Sequence, residues 1–266
     1  MKPNTSYTLI TGGSMGIGYE LAKVFAEEGH NLILVARHES DLAAAKDTLE
    51  GAGIEVITLV KDLFEPNAAF ELYDEIRQRG LLVDILVNNA GQGEYGLFAE
   101  TDIRRELAIV QLNIASLIVL TKQFLQEMID RGQGKILNLS SIASKTPGPW
   151  QAVYHGTKAF VQSFTEALRS EVKDHHITVT ALLPGATDTD FFNKAGMESS
   201  KVVQDKDKLA DPAKVARDGY EALMKGDDKV VSGFKNKMMV AGTNLMPDSM
   251  AADMMKKQQE PVKSTK

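Results

Sequence analysis

The segment QAVYHGTKAF, residues 151–160, carries a tyrosine and a lysine four residues apart, Tyr154 and Lys158. On a helix, residues i and i+4 stack on one face, so the ammonium would lie beside the phenol. An isolated tyrosine has a pKa of about 10, too high to exchange its proton freely at neutral pH. A cation at ~4 Å, with an effective dielectric near ~20, favours the phenolate by roughly 4 kcal/mol. That is about three pKa units before desolvation opposes it. Such a pair makes a phenol that gives or takes a proton near pH 7. A surface helix would also carry it without any chemistry. The rest of the chain decides between the two readings.

A second group of residues has chemistry in its spacing. TGGSMGIG (11–18) follows an apolar run and precedes the helical pattern YELAKVFAEEG. Gly12, Gly16 and Gly18 therefore sit at the mouth of a βα unit, with Ser14, Met15 and Ile17 between them. Helix N-terminal N–H groups at such a mouth can hold a pyrophosphate. The spacing is G-x-x-x-G-x-G, which differs from the commonest dinucleotide fingerprint, but the strand–turn–helix context is right. The second strand ends in LVARHES, where Ala36 and Arg37 stand and no carboxylate does. A carboxylate there would bind a ribose 2′-OH, whereas arginine suits a 2′-phosphate. NADP(H) is therefore expected over NAD(H).

Composition narrows the rest. The chain has 266 residues, 43% apolar and 25% charged, with a formal charge of −6 and a pI near 5.5. That field does not favour a polyanion, so nucleic acid is not expected as a partner. There are no cysteines, and the five histidines fall in no ligand pattern, so no metal site is expected. No segment reads as a signal peptide or as long enough to span a membrane, and a cytoplasmic protein is the expectation.

The elements that must position these residues are legible as alternating patterns. Strands are expected at 7–11, 31–35, 55–60, 84–88, 134–140, 178–183 and 228–232, all apolar without polar alternation. That is the pattern of strands covered on both faces. Helical patterns lie between them. Ser40 is expected to cap one of these, and Asp211 followed by Pro212 another. The alternation predicts a doubly wound α/β sheet in a single domain. Residues 188–210 form a long segment expected to act as a lid or substrate loop. The Met- and Lys-rich tail, 236–266, follows the 1–235 domain, and its last residues are expected to be disordered.

TGGSMGIG, NNAG (88–91) and YHGTK (154–158), in this order, resemble the short-chain dehydrogenase/reductase family over about residues 7–235. The resemblance implies a Rossmann-type, mainly parallel seven-stranded sheet and carbonyl–alcohol interconversion by hydride transfer. It implies a catalytic serine thirteen positions before the tyrosine, which is Ser141; its neighbour Ser140 would point the other way. It also implies Asn113, in VQLNIAS, as the holder of a relay water. Tyr154 is then the general acid/base, and Lys158 lowers its pKa and holds the nicotinamide ribose. Ser141 orients the substrate oxygen, and His155 is a bystander.

Further cofactor contacts implied by the resemblance are Asp62 and Leu63 at the adenine. Asn89, Ala90 and Gly91 are expected near the adenosine ribose, steadying the central sheet. Pro184, Gly185, Thr187 and Thr189 are expected over the nicotinamide. Met15 departs from relatives that carry a basic residue there for the 2′-phosphate. Candidate substrate residues are Gln92, Gly93, Tyr95, Ala143, Trp150, Phe191, Phe192 and Met197, mostly apolar, which suits a small hydrophobic ketone or aldehyde. Lys145 and Lys194 are candidates for an acidic substrate.

The tail resembles those of a bacterial subgroup of uncharacterised oxidoreductases. It could cover the pocket, make an oligomer contact or touch a membrane surface, and packing on protein is favoured. A homodimer or homotetramer is implied, with helices at about 102–130 and 150–174 as interface. Two rival functions remain. One is a catalytically silent NADP(H)-sensing regulator of the same fold. The other is an epimerase or dehydratase of the longer branch, for which the chain has little room.

Overall fold

The apolar runs become seven strands in the computed structural model, which describes residues 6–243 and 246–262. They are β1 (Ser6–Thr11), β2 (Asn31–Ala36), β3 (Val56–Val60), β4 (Leu82–Asn88), β5 (Gly134–Leu139), β6 (Ile177–Leu183) and β7 (Lys229–Val231). Neighbours pair in the order β3-β2-β1-β4-β5-β6-β7, every pair parallel. The helices are α1 (Gly16–Glu27), α2 (Glu39–Leu49), α3 (Ala68–Gln78), α4 (Ile103–Val110), α5 (Ser116–Arg131) and α6 (Ala152–Val172). After β6 come α7 (Phe191–Lys194), α8 (Lys201–Gln204), α9 (Pro212–Lys225), α10 (Phe234–Thr243) and α11 (Asp248–Gln259). Residues 1–5 of the expected 1–235 domain, and 244, 245 and 263–266 of the expected tail, lie outside the described residues.

Strand side chains alternate faces, and each face is covered. Leu9, Ile33, Leu86, Ile136 and Val179 pack with Leu72 and Ile76 of α3, Phe124 and Met128 of α5 and Leu168 of α6. Ile10, Leu32, Leu34, Val87 and Leu182 pack with Phe25 of α1, Leu42 of α2 and Leu223 of α9. This is why the strands read as unbroken apolar runs. The strand order reverses between β1 and β4, so their carboxyl ends open a crevice at a topological switch point.

Two local expectations change, and a third is extended. Ser40 does not cap α2: His38 is the N-cap residue, and Ser40 sits within the first turn, 3.5 Å from Asp41. Glu39 and Asp41 there suit the positive end of the helix instead. Asp211 does cap α9, accepting from the Ala213 N–H at 2.9 Å, with Pro212 at the first helical position. A membrane-length helix, unexpected from sequence, does occur: Ile103–Arg131 is 29 residues long and apolar. Leu117, Leu120, Phe124, Leu125 and Met128 on it are buried, which makes it a core helix. Third, Asn89 ties the end of β4 to Thr11 of β1, and a second tie across the central sheet comes from Asn88. It donates to Asn138 on β5 and to Thr121 on α5, both at 2.9 Å, and Asn138 donates to Thr165 on α6.

The 188–210 segment contains α7, α8 and a 3₁₀ turn at Lys206–Lys208. Its ends are joined by a bridge between Thr187 and Ala210.

Candidate active site

Tyr154 and Lys158 lie on the first turns of α6, facing the carboxyl ends of β4 and β5. Ser141 follows β5 in extended conformation, and its Oγ accepts from the Ala143 N–H at 3.1 Å. Ser141 also hydrogen-bonds the Tyr154 phenol. Ser140 points the other way, as strand alternation requires, and donates to the Lys158 carbonyl at 2.9 Å. Lys158 Nζ donates to the Leu139 carbonyl at 2.8 Å and lies 5.7 Å from the Tyr154 ring centroid.

Asn113 reaches the same place because α4 and α5 are joined by a π-helical turn, Gln111–Ala115. Such a turn re-aims side chains within a continuous helix. Its amide donates to Gln92 O at 2.9 Å and Thr157 Oγ1 at 3.0 Å, and its Oδ1 accepts from Gln92 N at 3.0 Å. A Cβ built on Gly91 would stand 3.2 Å from Lys158 Nζ and 3.4 Å from Asn113 Oδ1, so glycine keeps this junction open.

The electrostatics reverse the sequence expectation. Burial pushes the Tyr154 phenol up to about 12, against a smaller lowering by the Ser141 hydrogen bond. Burial likewise pulls Lys158 down to about 8. The Tyr154 ring is only half-buried, but its hydroxyl end is surrounded by protein. Lys158 is 4% exposed. Lys158 does not lower the Tyr154 pKa in this arrangement. Each charged form loses more hydration than their separated attraction returns, so the proton stays on the phenol.

Beside this cluster is a cleft lined by Gly12, Ser14, Met15, Gly16, Ile17, Gly18, Arg37, Asp62, Leu63, Asn89, Ala90, Gly91 and Thr189. Gly12 and Gly16 have φ of +65° and +56°, a backbone region that favours glycine. A Cβ on Gly18 would stand 2.1 Å from the Gly12 carbonyl, so the helix can approach its loop only without one. Asn89 holds the turn, its Nδ2 donating to Thr11 O at 2.9 Å and Gly12 O at 3.1 Å. Met15 is the N-cap of α1 and gives no side-chain cap, so the first-turn N–H groups are left for a ligand. These residues fit a dinucleotide's phosphates.

Arg37 is exposed at the cleft rim, its guanidinium 5.0 Å from the Phe64 ring centroid. Asp41 also lines the cleft. Lys194, from α7, reaches over the turn: its Nζ lies 2.6 Å from Met15 Sδ and 3.2 Å from Asp190. A second cavity, of about 960 Å³, adjoins the cleft. Ser141, Ala143, Tyr154, Pro184, Gly185, Thr187, Phe191, Phe192 and Met197 line it, together with Met239, Met255 and Gln259 of the tail.

Residues 6–199 match the family described as short chain dehydrogenase. The chain belongs to that family. Over 233 residues it is 33% identical to dehydrogenase/reductase SDR family member 7B of Bos taurus, covering 84% of this chain and 72% of the other. A short-chain dehydrogenase from Sphingobium yanoikuyae, solved in complex with NADPH, superposes with a TM-score of 0.80 at 27% identity. The superposition covers 94% of this dehydrogenase and 99% of that chain. A bulky-bulky ketone specific alcohol dehydrogenase from Comamonas testosteroni gives 0.77 at 25% identity, over 94% and 98% of the two chains.

Within this dehydrogenase, the expected catalytic four converge, and the expected cofactor residues divide between two adjoining spaces. Pro184, Gly185 and Thr187 line the larger cavity rather than the cleft, while Thr189 borders both. The expected substrate residues divide too. Gln92 lines the cleft, its backbone clamped by Asn113. Tyr95 and Trp150 stack on each other, 5.5 Å between centroids, outside the cavity lining. The left-handed backbone of Trp150, φ 73°, sends its ring toward Tyr95. Gly93 packs beneath Phe191, and Lys145 lines neither space.

His155 is buried and tied into the fold. It is 4% exposed, with Nδ1 2.8 Å from Thr146 O and Nε2 2.9 Å from Gln259 Nε2. Sequence reasoning missed Gln151 and the tail residues of the cavity, and took Lys194 for a substrate contact rather than a group over the glycine turn. Lys194 meets Met15 across 179 positions and Gln259 meets His155 across 104, too far for a local pattern to mark them.

Proposed function

We propose that this protein is an NADP(H)-dependent oxidoreductase that interconverts a carbonyl compound and its alcohol. The observation that carries this reading is the convergence of Ser141, Tyr154 and Lys158 on the boundary between the glycine-turn cleft and the apolar cavity. A nicotinamide dinucleotide, when bound, supplies or takes the hydride at the substrate carbon. Everything else falls to the chain. The Ser141 hydroxyl hydrogen-bonds the substrate oxygen and fixes its position beside Tyr154. In reduction the Tyr154 hydroxyl gives its proton to that oxygen, and in oxidation the phenolate takes it back. Burial keeps Tyr154 protonated, so the acid is loaded before a carbonyl arrives. Lys158, its Nζ anchored on the Leu139 carbonyl beside Tyr154, would hold the nicotinamide ribose. Asn113 fixes the Gln92 backbone beside this proton path, a footing for the relay water expected of it.

Preference for NADP(H) rests on two cations at the cleft. Arg37 is at the end of β2, and Lys194 supplies, from α7, a charge beside Met15 where relatives carry one on the turn itself. The NADPH complex of the Sphingobium dehydrogenase supports the same cofactor. The cavity's lining of Phe191, Phe192, Met197, Met239 and Met255 favours an apolar substrate. Exposed Ile103, Leu107, Ile118 and Phe160 on α4, α5 and α6 suit a dimer or tetramer contact. A cytoplasmic location is part of the same proposal.

Calorimetric titration with NADPH and, separately, NADH tests the reading. Tight NADPH and weak NADH binding is the expected result. Binding of neither would overturn it.

A further inference from the structure

The larger cavity opens through a rim of cations. Lys201 on α8, Lys208 in the 3₁₀ turn, Lys235 on α10 and Lys257 on α11 all line it, and all four are exposed. A residue that lines a cavity while reaching solvent stands at its mouth. Two of these elements belong to the 188–210 segment and two to the tail, so separate parts of the chain bring like charge to one opening. Against the four ammonium groups, the lining holds a single carboxylate, Asp205. The chain as a whole carries a formal charge of −6, so the mouth has the opposite sign to the molecule.

Local structure does not account for this rim. Lys201 pairs with Glu260, and Lys208 lies 2.7 Å from Asp205. Lys208 hydrogen-bonds that carboxylate and, with a smaller effect from Lys235, holds its pKa below the usual range. Neither Lys235 nor Lys257 has a salt bridge of its own among the described residues. Lys235 also stands in the first turn of α10, the end at which a helix disfavours a cation. The cofactor's phosphates do not explain the rim either, since none of the four lysines lines the glycine-turn cleft.

Behind the rim the cavity wall is apolar, with Phe191, Phe192, Met197, Met239 and Met255, and Ser141 and Tyr154 line the same space. A cleft edged with one sign of charge concentrates the opposite ion. A neutral apolar compound gains nothing from such an edge, and a large polyanion is repelled by the net charge of −6. An amphiphile with one anionic end uses both parts of the wall.

We propose that the rim of Lys201, Lys208, Lys235 and Lys257 binds an anionic group, a carboxylate, sulfonate or phosphate, carried at the far end of an otherwise apolar carbonyl substrate. The carbonyl lies at Ser141 and Tyr154, the apolar body along the phenylalanine and methionine wall, and the anion at the mouth. Lys235 and Lys257, which no carboxylate neutralises directly, are specificity-determining residues. The inference rests on the reading of this cavity as the site of carbonyl–alcohol chemistry.

The test uses phenyl ketones with alkyl chains of graded length, each ending in carboxylate, its methyl ester or hydrogen. At the chain length that reaches the rim, the full-length wild type should favour the carboxylate over its ester by at least ~10-fold in kcat/KM, expressed mainly in KM. Raising salt from ~0.05 M to ~0.5 M should shrink that ratio. Lys235→Gln combined with Lys257→Gln breaks no salt bridge and should bring the ratio to within about threefold, while turnover of the hydrogen member persists. Arginine at both positions keeps the charge and should keep the preference. Lys145→Gln, at a lysine that lines neither space, should keep it too. Sulfonate and phosphate ends at the same length tell which anion the rim prefers, and a preference for any of the three supports the proposal.

A wild type indifferent to all three anions at every length overturns the proposal. So does a double glutamine variant that lowers turnover of every member together and leaves the ratio intact, or an equal loss of preference in Lys145→Gln. Calorimetry with oxidised cofactor present, where no ketone can be reduced, reads the same preference without turnover. Tighter, salt-sensitive binding of the anionic member with no ketone reduced under any condition would sink the carbonyl chemistry and leave the rim standing. Reduction of the ketones without preference does the reverse, and equal or absent binding of all members overturns the rim.

Discussion

Replacing Lys158 by methionine should destroy turnover and stabilise the cofactor-free fold. Lys158 is 4% exposed, and its pKa falls from 10.5 to about 8 on burial. At about 1.36 kcal/mol per unit, holding the ammonium in the folded state costs roughly 3 kcal/mol at neutral pH. Its hydrogen bond to the Leu139 carbonyl offsets roughly 1.5 kcal/mol of this, and that carbonyl loses its partner in Lys158→Met. The net expectation is a variant about 1–2 kcal/mol more stable at pH 7.

The pH dependence is sharper. Below pH 8 both folded and unfolded lysine are protonated, and the cost is fully present. Between 8 and 10.5 the folded lysine releases its proton while the unfolded one keeps it. Stability of the wild type therefore rises with pH through that window relative to the variant. The gap should close by about 1.36 kcal/mol per pH unit above 8. Tyr154, whose raised pKa acts in the opposite sense, is present in both proteins and largely cancels.

Urea unfolding from pH 7 to 9.5, followed by the single tryptophan, Trp150, measures the gap. A variant less stable than wild type at pH 7, with a gap that does not move by pH 9.5, would refute the claim that Lys158 is held against its own desolvation.

Tyr154→Phe should bind NADPH within a few-fold of wild type and lose at least ~10²-fold in turnover, the scale of acid catalysis; unchanged turnover would remove the central role. Arg37→Ala and Lys194→Ala should each weaken NADPH binding more than NADH binding, as read by calorimetry, and an equal loss for both cofactors would take the 2′-phosphate away from that residue. Gly18→Ala drives a Cβ into the Gly12 carbonyl and should cost about 1–3 kcal/mol in urea unfolding, with NADPH binding lost. Gly51→Ala meets nothing within 4 Å and should stay within about 0.5 kcal/mol, so equal effects would discount the close approach.

The sheet was legible because its strands are short apolar runs covered on both faces, and each appears within two residues of where the pattern sets it. Asp211–Pro212 was legible for a similar reason: capping is local chemistry. Ser40 misled because capping competes with the acidic residues on either side of it, and the helix begins one residue earlier. The catalytic set was readable only as far as local spacing reaches. Tyr154 and Lys158 declare themselves as i and i+4, but the sign of their pKa shifts depends on burial, which is tertiary. Asn113 is aimed by a π-helical turn with no sequence signature. Lys194 meets Met15 across 179 positions and Gln259 meets His155 across 104, distances over which no periodicity speaks.

The family match stops at residue 199. Tyr154, Lys158, Ser141 and the glycine turn all lie before that point, while Met239, Met255 and Gln259 lie after it. On the proposed function, the proton chemistry is built before that point, and part of the wall that would meet the substrate is built after it. Drift in that stretch can retune the range of compounds accepted without disturbing the proton chemistry, and two such proteins could diverge in diet long before they diverge in mechanism.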